Sequence, residues 1–481
     1  MKMKYFVIVI LALLLSVSLL GQTPDFVFSN TDGKIPVQAY KGYHYVKFPF
    51  QNKVTAYVTL KGENTESVEV FPKGKVSEVN QIQNTVSVAL YEPGVYMLRL
   101  NKKHKFFIFA DEPYSLPTDK PIINIVDLGI DNTGQENMTT QIQKALENAS
   151  GSGAVLYFPK GDYKTFPLTI GSNTHLFLDE DATIIADTSD IKRYYPTDDL
   201  GTKRFIYIKD AENVKICGAG NINGNGKVLR TRYGDEARMR LMMIFRSKNV
   251  YIEGLMFKDP GSWNTQILCS EDVSFNAVKL MNDIELSNTD GFDPDASKRV
   301  LIENCFAYCS DDNVAIKITK TSGYMQDVED ITVRGCLFLT KKSSLKVGTE
   351  TRGLLMKNIL FEDNDVIESD RGMALYVSDG ATLENIRYIN NRFEYNYPDA
   401  KRCGINIVVQ KRNKDSKLGM IKDVLIKDCF FENSFPRMSE IKSEAKGLIN
   451  VRIENLHIEN KKVSSLSEAQ IKVTNSSIEI K

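Results

Sequence analysis

The chain has 481 residues, 42% of them apolar, and carries 61 Lys plus Arg against 61 Asp plus Glu, so its formal charge is zero. That balance excludes a broad field that gathers nucleic acid or anionic lipid, and any preference for a charged ligand must be local. The length exceeds one ordinary compact core and points to two or three units, or to a solenoid, which escapes the usual size limit.

In chain order, Lys2 and Lys4 precede an apolar run from Tyr5 to Leu20. A basic start and an apolar stretch too short for a confident span predict a signal peptide over residues 1–21 and export to the periplasm or the cell exterior. No later stretch is apolar for long enough to cross a bilayer, so the mature chain is expected to have no membrane span. Residues 22–117 are predicted to form an antiparallel β-sandwich. Short alternating runs (YHYVKFPF, KVTAYVTL, SVEVFP, TVSVALY, VYMLRL, KFFIFA) are separated there by turn signals such as KGEN and EPG. Pro113 to Pro121 reads as the linker.

Residues 118–481 are predicted to form a right-handed parallel β-helix. Asn137 to Ala149 places Ile142, Ala145 and Leu146 on one face, a helix suited to closing the apolar end of a stack. From Asn249 a phrase recurs: NVYIEGLMF, DVSFNAVKL, RVLIENCFA, DITVRGCLF, NILFEDNDV, NIRYINNRF, DVLIKDCFF and NVRIENLHI, with NVKICGAGN at Asn213 as an earlier copy. The starts are mostly 23 to 31 residues apart, with longer gaps such as that between Asn385 and Asp423. A period of that size with period-2 Val, Ile and Phe predicts rungs of three short strands. The seventh place holds Leu255, Val278, Cys305, Cys336, Asn364, Asn391, Cys429 and Leu456. It reads as an inward column, with Asn364 and Asn391 forming an amide ladder. Cys305 and Cys336 are neighbours in that column, either stacked thiols or a bridge. QIKVTNSSIEIK at the C-terminus reads as a last rung or cap.

A second strand follows each opening phrase. Stacked, these are SWNTQIL, SNTDGFD, SDDNVAI, KSSLKVG, DRGMALY and RCGINIV. Adjacent parallel strands lie about 4.8 Å apart, which brings Asp290, Asp311 and Asp312 into one patch. Carboxylates at that range raise at least one pKa, leaving an acid and a base side by side, the equipment for glycosidic hydrolysis. Asp293 and Asp295 nearby read as turn aspartates.

SNTDGFDP followed about twenty residues later by SDDNVAIK resembles the glycoside hydrolases of family 28, the polygalacturonase family. GDYKTFPLTIGSNTHLFLDEDATIIA is similar to that family's opening rungs. The resemblance covers Ile123 to Glu459 and implies an inverting hydrolase on a β-helix. It implies Asp311 as general acid, Asp290 and Asp312 as the pair that holds and deprotonates water, and Asn288 as the Asn of N-T-D. The family's G-H-G aligns with Lys342-Ser343-Ser344, and its R-I-K with Ala374-Leu375-Tyr376, so the His and both cations are replaced. Lys317, Lys342, Lys346 and Arg371 stand on nearby rungs. Lys346 and Arg371 either rebuild an anion site or pair with Asp370, Glu350 or Asp312. Trp263, the only tryptophan, and Tyr376 are candidate sugar platforms. The substrate-facing set is therefore Asn288, Trp263, Lys317, Ser343, Lys346, Arg371 and Tyr376. A sandwich before a β-helix is also similar to the family 49 dextranases, which act on neutral glucans.

The expectation is an exported, inverting glycoside hydrolase acting as a monomer on a polysaccharide or its oligosaccharides, without metal or organic cofactor and without a nucleic-acid partner. For inversion the acid and base carboxyls are expected roughly 6.5–9.5 Å apart. The rivals are a neutral-glucan hydrolase, a β-helical lyase using Ca²⁺ with Lys317 or Lys346 as base, and a non-catalytic sugar-binding rod. An exo enzyme would close one end of its groove, and YNYPDAKR with KRNKDSKLG is the candidate loop.

Overall fold

A computed structural model describes residues 26–76, 78–198, 200–320, 323, 325–394 and 403–481. The signal-peptide segment and YNYPDAKR lie outside the described residues. The chain divides into a unit ending at Pro113 and a unit from Tyr114 to Lys481.

The first unit packs two five-stranded sheets. The alternating runs supply its longer strands, because one side of each sheet faces the shared core of Phe28, Val46, Val58, Val88, Leu98, Phe106 and Ile108. Its pairings are antiparallel except one: Tyr43–Pro49 and His104–Asp111 run parallel. Hairpin turns cannot join such neighbours, so the strand patterning could not reveal it.

The second unit is a right-handed parallel β-helix with sheets of 13, 12 and 11 strands. Each recurrent phrase forms two strands and not one. In the first copy Lys248–Glu253 joins the 13-stranded sheet and Met256–Lys258 the 12-stranded sheet. The bend falls at the sixth place, where Gly254, Ala277, Asn304, Gly335, Asp363, Asn390, Asp428 and Asn455 all have positive φ. Gly, Asn and Asp enter that region at the least cost, which is why they dominate the position. The strand read as the second of each rung is therefore its third. Thr265–Leu268, Phe292–Asp295, Val314–Ile318, Ser343–Thr351, Arg371–Val377 and Cys403–Val409 lie consecutively in the 11-stranded sheet, in the order expected.

One apolar core runs inside the coils from Ile125 to Ile471. Its first coil is covered by the helix Thr139–Ser152, which buries Ile142, Ala145, Leu146 and Ala149. Asn137 Oδ1 accepts the Thr139 N–H at 3.2 Å, and the helix continues past Ala149 to a C-cap at Gly153 with φ of 69°. At the other end Ile471–Thr474 and Ser477–Ile480 form the last rung.

The seventh-place column is buried as read, and all its cysteines are free thiols. Asn364 Nδ2 donates to Asn391 Oδ1 at 2.9 Å, and Asn364 Oδ1 accepts the Cys336 N–H at 3.1 Å. Asn364→Leu would orphan that N–H in a dry core and remove the Asn364 amide donor from Val333 O and Asn391 Oδ1, while Asn391 keeps the Asn364 backbone N–H and Phe361 O. A loss of about 1–3 kcal/mol is expected, read from the midpoint of urea unfolding.

Candidate active site

The three aspartates stand at the entry edges of adjacent strands in the 11-stranded sheet. Asp290 precedes Phe292–Asp295, while Asp311 and Asp312 precede Val314–Ile318. Backbone bonds lock the two rungs together: Gly291 N–H reaches Asp312 O at 2.8 Å and Phe292 N–H reaches Asn313 O at 2.9 Å. A Cβ at Gly291 would lie 2.4 Å from Asn313 O, so the glycine after N-T-D is required by close approach. Asn282 Nδ2 holds Thr289 O at 2.8 Å, and Asn313 Nδ2 holds Leu339 O at 2.8 Å. These buried amides fix the turns from which the carboxylates project.

One oxygen from each of Asp290, Asp311 and Asp312 lies within 4.8 Å of the others. That is closer than the expected spacing of roughly 6.5–9.5 Å. The reason is topological: two of the residues are sequence neighbours, and the third sits one strand spacing away. Such crowding is held by cations. Lys346 Nζ contacts Asp312 Oδ2 at 2.5 Å, and Ser343 N–H donates to Asp312 Oδ1 at 3.0 Å. Lys317 Nζ lies 3.1 Å from Asp290 Oδ2 and 2.7 Å from Asp293 Oδ1.

The environments differ enough to separate three roles. Asp311 is half-buried, and burial, then the charges of Asp290 and Asp312, push it up to about 7. Burial acts upward on Asp312 too, yet Lys346, Lys317 and Arg371 bring it below the ordinary carboxylate value. Asp290 is raised by burial against the pull of Lys317. Its Oδ1 is buried and has no hydrogen-bond partner among the described residues, which leaves it an acceptor without a donor.

The other sequence candidates fall as follows. Asn288 adopts φ of 59° and accepts Arg238 Nη1 at 2.8 Å. Ser343 is fully buried, and its Oγ accepts Arg371 Nε at 2.9 Å. Arg371 also pairs with Asp370 at 3.4 Å, and Lys346 stands 5.7 Å from the Tyr376 ring. Of the two readings for these cations, pairing with acids is therefore the one observed. Trp263 is not a bare platform. Lys317 Nζ lies 3.5 Å and the Arg240 guanidinium 3.9 Å from its ring centroid, from rungs on either side along the axis.

Asp293 and Asp295 are not turn residues. They occupy the strand Phe292–Asp295 with no exposed surface. Asp295 accepts Thr319 N–H at 2.8 Å, Thr319 Oγ1 at 2.6 Å and Gln266 Nε2 at 3.0 Å. The D-x-D spacing, which puts both side chains on one face of a strand, was the available signal. Arg240 had none, since its partners Ser262 and Gln266 come from the next rung, and Arg238 reaches Asn288 across rungs as well as Asp235 three residues before it.

The sequence profile of glycosyl hydrolases family 28 matches residues 160–480. The chain belongs to glycosyl hydrolase family 28. As a family 28 enzyme it hydrolyses O-glycosidic bonds, which sets aside the lyase and the non-catalytic rod. A probable polygalacturonase of Vitis vinifera is 27% identical over 302 residues, 55% of this chain and 61% of that protein. The chain thus spans less than two thirds of that relative's length. An endo-polygalacturonase of Pectobacterium carotovorum subsp. carotovorum is 26% identical over 371 residues, 69% of this chain and 86% of that protein. Dex49A from Penicillium minioluteum aligns with a TM-score of 0.57 at 12% identity, covering 91% of this chain and 83% of that one, a likeness of fold alone.

Proposed function

We propose that this family 28 hydrolase cleaves a pectic polysaccharide or its oligosaccharides outside the cytoplasm, with inversion at the anomeric carbon. The observation that carries the catalytic assignment is the split between Asp311, held up to about 7, and Asp312, held below its ordinary value. Below about pH 7 Asp311 keeps a proton for the leaving oxygen, while Asp312 is ionised and takes a proton from water. The free Oδ1 of Asp290 accepts a hydrogen bond from that water and holds it in line. Both Asp312 oxygens are engaged, by Lys346 and by the Ser343 N–H, which blunts it as a nucleophile and favours direct attack by water.

A pectic substrate is supported by the names of the two relatives. A neutral substrate is favoured by one observation: Ala374 and Tyr376 stand where the family has cations, and Lys346 and Arg371 are engaged by acids. Among the described residues no helix is long and apolar enough to cross a membrane.

Incubation with polygalacturonate, dextran and galactan separates the readings. Reducing ends are expected from polygalacturonate, with the first-formed anomer by proton NMR opposite to that of the substrate linkage. Absorbance near 235 nm is expected to stay flat with or without chelator; a chelator-sensitive rise would replace hydrolysis by elimination. Reducing ends from dextran alone would move the substrate to the neutral reading.

A further inference from the structure

The sheet that carries the three aspartates at one edge carries a second pocket at its other edge, with a volume of about 530 Å³. It is built from the exits of Ser343–Thr351, Arg371–Val377 and Cys403–Val409, where Arg352, Asp379 and Arg412 follow the strands. Ser343, which donates to Asp312, and Arg352 stand at opposite ends of one strand nine residues long. At the usual rise per residue the two places are about 20 Å or more apart. The pocket is separate from the hydrolytic cluster.

Its wall carries four cations, Lys320, Arg352, Arg412 and Lys417, against Asp379 and Asp415. Asp379 is already committed: it takes Arg412 two-pronged, Nε at 2.7 Å and Nη2 at 2.8 Å, and accepts the Thr351 N–H at 3.1 Å. Arg352 also acts on that carboxylate, its charge helping to lower Asp379. Its Nε is buried and has no hydrogen-bond partner among the described residues. A buried guanidinium N–H without an acceptor is costly, and an arriving carboxylate repays it with a planar two-pronged bond. Leu354 and the exposed Met325 line the same pocket and offer an apolar patch to the C–H face of a sugar ring. The volume falls within the range of small-molecule sites.

We propose that this pocket is a second carbohydrate site, which binds a carboxylated sugar residue of the polysaccharide through Arg352, with Lys320 and Lys417 beside it. The charge recognition that the engaged cations near the aspartates do not supply is provided here. The site holds the polymer to the rod while its chain is cut elsewhere. The identity of the sugar rests on the pectic reading; the existence of the site does not.

The test uses the full chain carrying Asp311→Asn, which binds without turnover, and calorimetric titration with trigalacturonate and with maltotriose. Two trigalacturonate sites are expected, and no maltotriose binding at the second. Adding Arg352→Ala should weaken one site about tenfold or more and leave the other within twofold. Arg352→Lys, which keeps the charge and loses the fork, should fall between the two. In the chain with Asp311 intact, Arg352→Ala should leave digalacturonate hydrolysis unchanged and reduce retention in gels containing polygalacturonate. Trigalacturonate binding, at one site or two, that is indifferent to both Arg352→Ala and Lys417→Ala would overturn the proposal. Inorganic sulfate competing as well as galacturonate would also overturn it, by making the pocket a general anion site. Failure to hydrolyse polygalacturonate while Arg352→Ala still removes a trigalacturonate site would defeat the pectic reading and sustain this one.

Discussion

Asp311→Asn is expected to lower kcat about 10²–10⁴-fold on a natural glycoside while leaving KM close to unchanged. The amide keeps the size of the side chain but cannot give a proton to the leaving oxygen. The loss should therefore shrink on a substrate whose leaving group needs no proton, such as a nitrophenol. The pH profile carries the sign. Asp311 must hold its proton, so activity falls as pH rises through about 7. In Asp311→Asn that alkaline limb should disappear, while the acid limb set by the water-activating carboxylates remains. An alkaline limb that survives the substitution would assign the acid role to another group.

Lys317→Met is expected to cost about 3–5 kcal/mol, because it leaves buried acids without their cation. Lys317 is 3% exposed and touches Asp290 and Asp293, both buried. The sign of the pH dependence follows from Asp293, which burial raises well above the ordinary value despite Lys317. A carboxyl raised in the folded state contributes stability that is complete below its unfolded pKa, near 4, and lost as pH rises through the folded value. Removing Lys317 raises Asp290 and Asp293 further. The deficit of the variant, measured by denaturant midpoints, should therefore be larger at pH 7 than at pH 5. An equal deficit at both pH values would mean that these carboxyls do not titrate differently in the folded state. Lys317 also carries the cation over Trp263, so the indole fluorescence should change with the substitution.

Much of the site was legible in advance because it depends on local rules. Asp290, Asp311 and Asp312 converge as read, since an N-T-D turn and a D-D turn at one rung's spacing must stack if the rungs stack. Lys346 and Arg371 were correctly placed near the aspartates but left between two roles. Their choice of Asp312 and Asp370 depends on which side chains from neighbouring rungs come within 4 Å, and no pattern along one strand encodes that. Asp293 and Asp295 were misread although their alternate spacing fits one face of a strand. In isolation D-P-D looks like a turn, and only Lys317, Thr319 and Gln266 from adjacent rungs make burial of the two acids tolerable.

The amino-acid order by itself determined the solenoid, the succession of its strands, the amide ladder and the convergence of the three aspartates, because period-2 patterning and the left-handed preference of Asn, Asp and Gly act over a few residues. The assembled coils decided the rest. Which acid each lysine neutralises, which faces of Trp263 are covered, the tight spacing of the carboxylates and the Arg352 pocket all arise between rungs. Turn lengths that differ from coil to coil set those meetings, and an ion pair forms only where two such turns bring opposite charges together.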